Sequence, residues 1–215
     1  MTIAEVDCGS YAQRIRLLLG QMMGDPALQA RFLNTLSLLE HIGSRKILVS
    51  QSRSGSLSGR TLKHLAEETR HAFFFKRAAE AAAGHELGYE DDEVLAGAQA
   101  RAYMGRLDAF IAQHVSGKSA YLFMSLVIEI RATWFYELYQ EVLKSSGQSL
   151  KLTSLLAEEN GHLAEMREQL AQLVTESEMQ LKSFIACEES LFLKLLHGLE
   201  ESLQGKSDRL EHRAC

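Results

Sequence analysis

Pro26 is the only proline in 215 residues. Proline breaks helix interiors, while loop-rich and all-β chains use it freely, so its near absence points to long helices. Even Pro26 follows Asp25 in the order of an N-cap and a first helical position, where the missing N–H costs nothing. Leu28, Phe32, Leu36, Leu39, Gly43 and Ile47 then keep one face at steps of three and four. A Ser- and Gly-rich stretch, 50–59, separates this helix from one expected over about 61–83, which stops before Gly84 and turns Leu62, Leu65, Glu68, Ala72, Phe75 and Ala79 inward. The segment 84–118 is less regular, with a helix near 94–114, and reads as a long crossover connection. Helices over about 119–143 and 152–174 follow, and Thr175 with Glu178 has the spacing of a capping box that opens a last helix reaching about 203. With a shorter helix over 11–23, the chain reads as all-α and as one domain over residues 1–215, with its central helices between about 26 and 175.

Apolar residues make up 46% and charged residues 24%, a balance that excludes intrinsic disorder. The formal net charge of −5 lacks the basic footprint of a general nucleic-acid binder. One local exception is 41–66, where Arg45, Lys46, Arg53, Arg60 and Lys63 meet no acidic residue; it reads as a solvated loop or a dock for a phosphate-bearing substrate or acidic electron-transfer partner. Cys8, Cys187 and Cys215 form no CxxC pair, which argues against a disulfide framework, a zinc ribbon or a rubredoxin-type iron site and fits a reducing cytoplasm. Residues 1–9 lack the basic start of a signal peptide, and the longest apolar run, 120–128, stops at Glu129, so no membrane association is expected.

Two helices carry Glu-x-x-His: Glu68 with His71, and Glu159 with His162. A spacing of three places both side chains on one helical face, so each pair can present an oxygen and a nitrogen to one metal-sized volume. Glu40 lies within an otherwise apolar stripe, and Glu129 interrupts the most hydrophobic stretch of its helix. A carboxylate buried there must be paired, protonated or metal-bound. Glu68 follows Glu40 by 28 positions and Glu159 follows Glu129 by 30, each the length of one helix return plus a turn. All six side chains can therefore meet at one height in an antiparallel four-helix bundle.

In this order the sequence resembles the ferritin-like di-iron carboxylate superfamily, whose four core helices supply Glu, Glu-x-x-His, Glu, Glu-x-x-His. The resemblance covers about 27–174 and leaves the first and last helices unexplained. It implies that Glu40, Glu68 and His71 hold one metal and Glu129, Glu159 and His162 the other, with Glu68 and Glu159 as bridges. The cofactors it implies are two iron ions, or manganese or a mixed manganese and iron pair. Glu158 and Glu67, each just before a ligand glutamate, match the acidic residues that in related bundles accept a hydrogen bond from the histidine of the opposite half. His64, one turn before Glu68, is close enough to touch the ligands, and His41 points a quarter-turn away. Phe75 occupies the place where the small subunit of ribonucleotide reductase typically carries its radical tyrosine. Tyr121, Tyr136, Tyr139 and Trp134 line a cavity or an electron path, or pack as core.

The resemblance implies an oxidoreductase that activates dioxygen to oxidise or hydroxylate a small molecule. Ferroxidase activity in iron handling is the alternative, and a tRNA-modifying di-iron hydroxylase a more distant one that the net charge does not support. With neither cysteine clusters nor a Gly-rich nucleotide loop, an external reductase or ferredoxin is implied as electron donor. The apolar repeat of the last helix, from Leu181 to Leu199, fits packing along the bundle or against a second copy in a homodimer.

Overall fold

A computed structural model describes residues 9–54, 58–171 and 177–211. Among these the chain forms seven α-helices and no strand: α1 (Gly9–Met23), α2 (Pro26–Ser54), α3 (Gly59–Ala83), α4 (Gly97–His114), α5 (Gly117–Ser145), α6 (Thr153–Ala171) and α7 (Ser177–Glu211). None is long and apolar enough to cross a membrane.

Side-chain bonds fix the helix directions. Ser37 of α2 donates to the Ala72 carbonyl of α3, while Lys76, further along α3, donates to Asn34, earlier on α2, so the two helices are antiparallel. On α5 and α6, Glu129 meets His162 and Gln140 meets Leu152, again antiparallel. Tyr136 of α5 bonds Glu40 of α2 while Tyr139 packs on Phe32, and Glu67 and His71 of α3 bond His162 and Glu158 of α6. The pairings close a ring, α2–α3–α6–α5, with each neighbour antiparallel. α3 and α5 therefore run the same way, and the chain must return between them. α4 does this: Arg31 of α2 reaches the Val94 carbonyl just before α4, and Lys46 reaches Asp108 on it, so α4 runs parallel to α2.

Boundaries differ from the sequence reading in ways that packing explains. α2 continues through Ser54, since 50–54 contains no glycine and serine tolerates helix; residues 55–57 and Thr175 of the expected capping box lie outside the described residues. α3 is capped by Ser58, whose Oγ accepts the Thr61 N–H at 3.1 Å, and Leu62, expected inward, is 49% exposed because Thr61 and His64 take the inner face. α4 starts at Gly97 rather than near 94. Val94 and Leu95 are fully buried, Thr35 accepts the Leu95 N–H at 2.8 Å, and Ala96 adopts a left-handed φ of 51° to turn the chain into the helix. α7 runs to Glu211 rather than to about 203, and Gly198 within it marks a close approach to α4: a Cβ there would lie 2.8 Å from Gln99 Cγ.

The outer helices α1, α4 and α7 are tied to α5 by one buried ion pair. Arg131 donates to both Glu188 oxygens, at 2.8–3.1 Å, and to the Tyr11 hydroxyl at 2.8 Å, while Tyr103 donates to Glu188 at 2.7 Å. The guanidinium lies 4.3 Å from the Phe192 ring centre. Glu188→Ala leaves the guanidinium buried without its carboxylate, a class of change that costs about 3–5 kcal/mol. Urea unfolding followed by helical circular dichroism should register a loss of that size, and a smaller one for Glu188→Gln, which retains one acceptor oxygen.

Candidate metal centre

The six sequence-predicted ligands converge inside the ring. Glu40 comes from α2, Glu68 and His71 from α3, Glu129 from α5, and Glu159 and His162 from α6; all are buried. Ligand-capable atoms of Glu40, Glu68, His71 and Glu159 lie within 4.8 Å of one another, and so do those of His64, Glu68, Glu129 and His162. Glu68 belongs to both groups. Glu159 faces both inward histidine nitrogens, with Oε1 3.1 Å from His71 Nδ1 and Oε2 3.4 Å from His162 Nδ1.

The far nitrogens of these histidines are held from outside, crosswise. His71 Nε2 lies 2.8 Å from Glu158 Oε2 of α6, and His162 Nε2 lies 2.9 Å from Glu67 Oε2 of α3. With each carboxylate accepting an Nε2–H, a neutral imidazole turns its Nδ1 lone pair toward the centre. Arg70 donates to Glu158 at 2.6 Å, on the outer side of the pair. Tyr136 donates to Glu40 and stacks near Phe75, with ring centres 5.5 Å apart. Tyr139 and Trp134 instead pack against other aromatic rings, and His41 stacks on Tyr89.

His64 was underrated by the sequence reading. Its Nε2 lies 3.1 Å from Glu129 Oε1 and 3.4 Å from Glu68 Oε1, while its Nδ1 meets the Tyr121 hydroxyl at 2.7 Å. The signal was available in the spacing: His64, Glu68 and His71 fall at steps of four and three, one continuous face of α3.

Two observations test whether these residues fit metal ions. His71 Nδ1 and Glu159 Oε2 are buried and make no hydrogen bond, although each lies close to other polar atoms of the cluster. A cation between them would satisfy both. In addition, Gly43 makes room for the Glu68 carboxylate: a Cβ at that position would sit 3.1 Å from Glu68 Oε2. The residues fit, and the two clusters could hold metal ions.

The electrostatics of the metal-free centre are those of crowded acids sharing protons. Burial, and then the charges of Glu68 and Glu159, push Glu40 well above the usual carboxylate range. Burial and Glu129 likewise raise Glu159, whereas for Glu129 the contacts with Glu159, His162 and His64 outweigh burial and lower it. Burial opposes the charged form of each histidine, but the carboxylates prevail. His64 rises to about 12, mainly through Glu129 and Glu68; His71 to about 10, through Glu159 and Glu40; and His162 to about 11, through Glu129 and Glu159.

No known protein-family model matches this chain, and neither a characterised protein nor a solved structure is found to be similar to it. What the centre can hold is therefore judged from its own donors, four carboxylates and three imidazoles.

Protonated imidazoles occupy the charge positions a metal would take, so metal uptake must expel protons. Raised histidine pKa values mean that this competition weakens as pH climbs toward 10. Divalent-metal affinity, measured by competition with a chromogenic chelator, should therefore be higher at pH 8.5 than at pH 6.5, by about tenfold per pH unit for each proton displaced. Calorimetry in buffers of different ionisation enthalpy should register the released protons.

Proposed function

We propose that this chain is a ferritin-like di-iron carboxylate oxidoreductase, which uses dioxygen to oxidise or hydroxylate a small molecule. The observation that carries the reading is the pair of buried ligand clusters sharing Glu68 between four antiparallel helices. Glu40, Glu68, His71 and Glu159 would hold one ion, and His64, Glu68, Glu129 and His162 the other. The order of the helices supports it too: two antiparallel pairs, joined by a connection that α4 carries back along the length of the ring, form a four-helix bundle with a long crossover. Oxygen and imidazole donors without thiolate suit iron, manganese or a mixed pair.

Two such ions supply paired electrons for dioxygen reduction when bound. The chain's own residues set the conditions. Glu158 and Glu67 fix the orientation of His71 and His162 through their Nε2 atoms, and Tyr136 holds the Glu40 carboxylate. Leu36, Leu39, Ala132 and Phe135 wall the Glu40 side with apolar surface that keeps water away. The turnover electrons would come from an external reductase or ferredoxin. An enzyme is favoured over a storage subunit by α7, which is 35 residues long and packs on α4 and α5, where a storage subunit has a brief terminal helix.

Metal analysis of protein expressed with iron and manganese should find about two ions per chain. Glu129→Ala and His162→Ala should each lose metal while the helical circular dichroism persists. Unchanged stoichiometry in both variants overturns the reading. Uptake of many irons per chain by a cage-sized assembly in light scattering would replace it with storage.

A further inference from the structure

Beside the centre lies a cavity of about 400 Å³, whose inner end is formed by His64, Glu68 and Glu129. It follows α5 outward to Ser116 and Gly117. Along it α5 presents two ridges at steps of four: Ala120, Met124 and Ile128 are apolar, while Tyr121, Ser125 and Glu129 are polar and lead to the centre. The opposite walls are Gly43 and Ile47 from α2 and Met104, Ala112 and Val115 from α4. At 1.5 Å per residue, the cavity extends about 10 Å along α2, from Gly43 to Ser50, and up to about 18 Å along α5, from Gly117 to Glu129. It is long and narrow, parallel to the helices.

Apart from His64, Glu68 and Glu129 at the inner end, its charged side chains are Lys46 and Asp108. Lys46 Nζ donates to Asp108 Oδ2 at 2.6 Å, and both side chains are partly exposed, at 25% and 51%. The outer part of the cavity therefore offers hydrogen-bonding groups without net charge. A second cavity, of about 90 Å³, lies toward Glu40 and Glu159 and shares Gly43, Met104 and Ile128 with the first. It is too small for more than a few atoms.

We propose that the larger cavity is the substrate site and that it takes an uncharged, amphipathic molecule of alkyl-chain shape. The apolar body lies along Ala120, Met124 and Ile128, the carbon to be oxidised stops beside His64 and Glu129, and a hydroxyl- or amide-like head meets Lys46 and Asp108. A charged head of either sign would meet a like charge in this pair, Asp108 for an anion and Lys46 for a cation. The oxidation of this molecule rests on the di-iron reading above; its binding does not, because the apolar walls do not depend on metal.

The probes are linear primary alcohols of increasing length, titrated by calorimetry into the full chain with and without bound metal. Affinity should rise about threefold to fourfold per methylene until the cavity is filled. The alkanoate and the alkylammonium of the same length should bind at least tenfold more weakly. Ala112→Trp, at an exposed position of the outer part, and Ala120→Trp, at a half-buried position on the apolar ridge, should cut alcohol affinity at least tenfold and leave metal content and helicity unchanged. Wild-type affinity in both variants, or tighter binding of an ionic probe, overturns the proposal. Alcohol binding that the variants abolish in a chain taking up no metal upholds the cavity and overturns the di-iron reading. Metal uptake without alcohol binding overturns the cavity and leaves that reading standing.

Discussion

Four carboxylates and three imidazoles within a few ångströms, inside a helical interior, are the constraint to which the rest of the architecture answers. An ionised carboxylate in such surroundings costs several kcal/mol unless opposite charge or well-aligned donors meet it. Each acid accordingly has a polar partner beside it. Tyr136 meets Glu40, His64 meets Glu68 and, with His162, Glu129, and Glu159 stands between the two Glu-x-x-His histidines. The crosswise contacts of Glu67 and Glu158 extend the compensation to the outer side of α3 and α6. Since these partners belong to different helices, the register of the four helices and the geometry of the centre are one and the same property.

A second buried charge pair completes the enclosure. Arg131 sits two residues beyond Glu129 on α5 and meets Glu188 of α7, with Tyr103 of α4 and Tyr11 of α1 on the same cluster. Arg131 also lines the small cavity on the Glu40 side, where Phe192, Leu195 and Leu199 of α7 close the apolar wall. The outer helices thus do more than cover apolar surface. They anchor α5, the helix that carries Glu129 and forms one wall of both cavities.

Much of this was legible in the sequence because helical periodicity reports which residues share a face. Glu40 and Glu129 stand out as acids inside apolar stripes, and the doubled Glu-x-x-His supplies the remaining candidates; all six are buried and adjacent. Periodicity says less about what a face will meet. Leu62 follows the apolar step of α3 yet points outward, because the inner face is rotated toward Thr61 and His64 by the polar centre it must serve. His64 was read only as a neighbour of the ligands, since its approach to Glu129 depends on how α3 sits against α5. Gly198 lies within the last helix, and nothing in the sequence says that its lack of a side chain serves a tertiary contact with Gln99. In each case the missing information was the identity of the partner helix.

The two halves of the centre are alike in ligand order and unlike in surroundings. On α6 the position four residues before Glu159 is Leu155, a buried apolar residue, whereas the matching position on α3 is His64. The Glu129 side therefore carries an additional imidazole, steadied by the Tyr121 hydroxyl, where the Glu40 side has the phenol of Tyr136. The same asymmetry governs access. The large cavity reaches His64, Glu68 and Glu129, while the small one reaches Glu40 and Glu159 together with Glu68 and Glu129. Both cavities touch Glu68 and Glu129, but His64, the residue that distinguishes the Glu129 cluster from its counterpart, stands at the inner end of the larger one. The asymmetry of the donors is thus matched by an asymmetry of open space, with the larger volume on the His64 side.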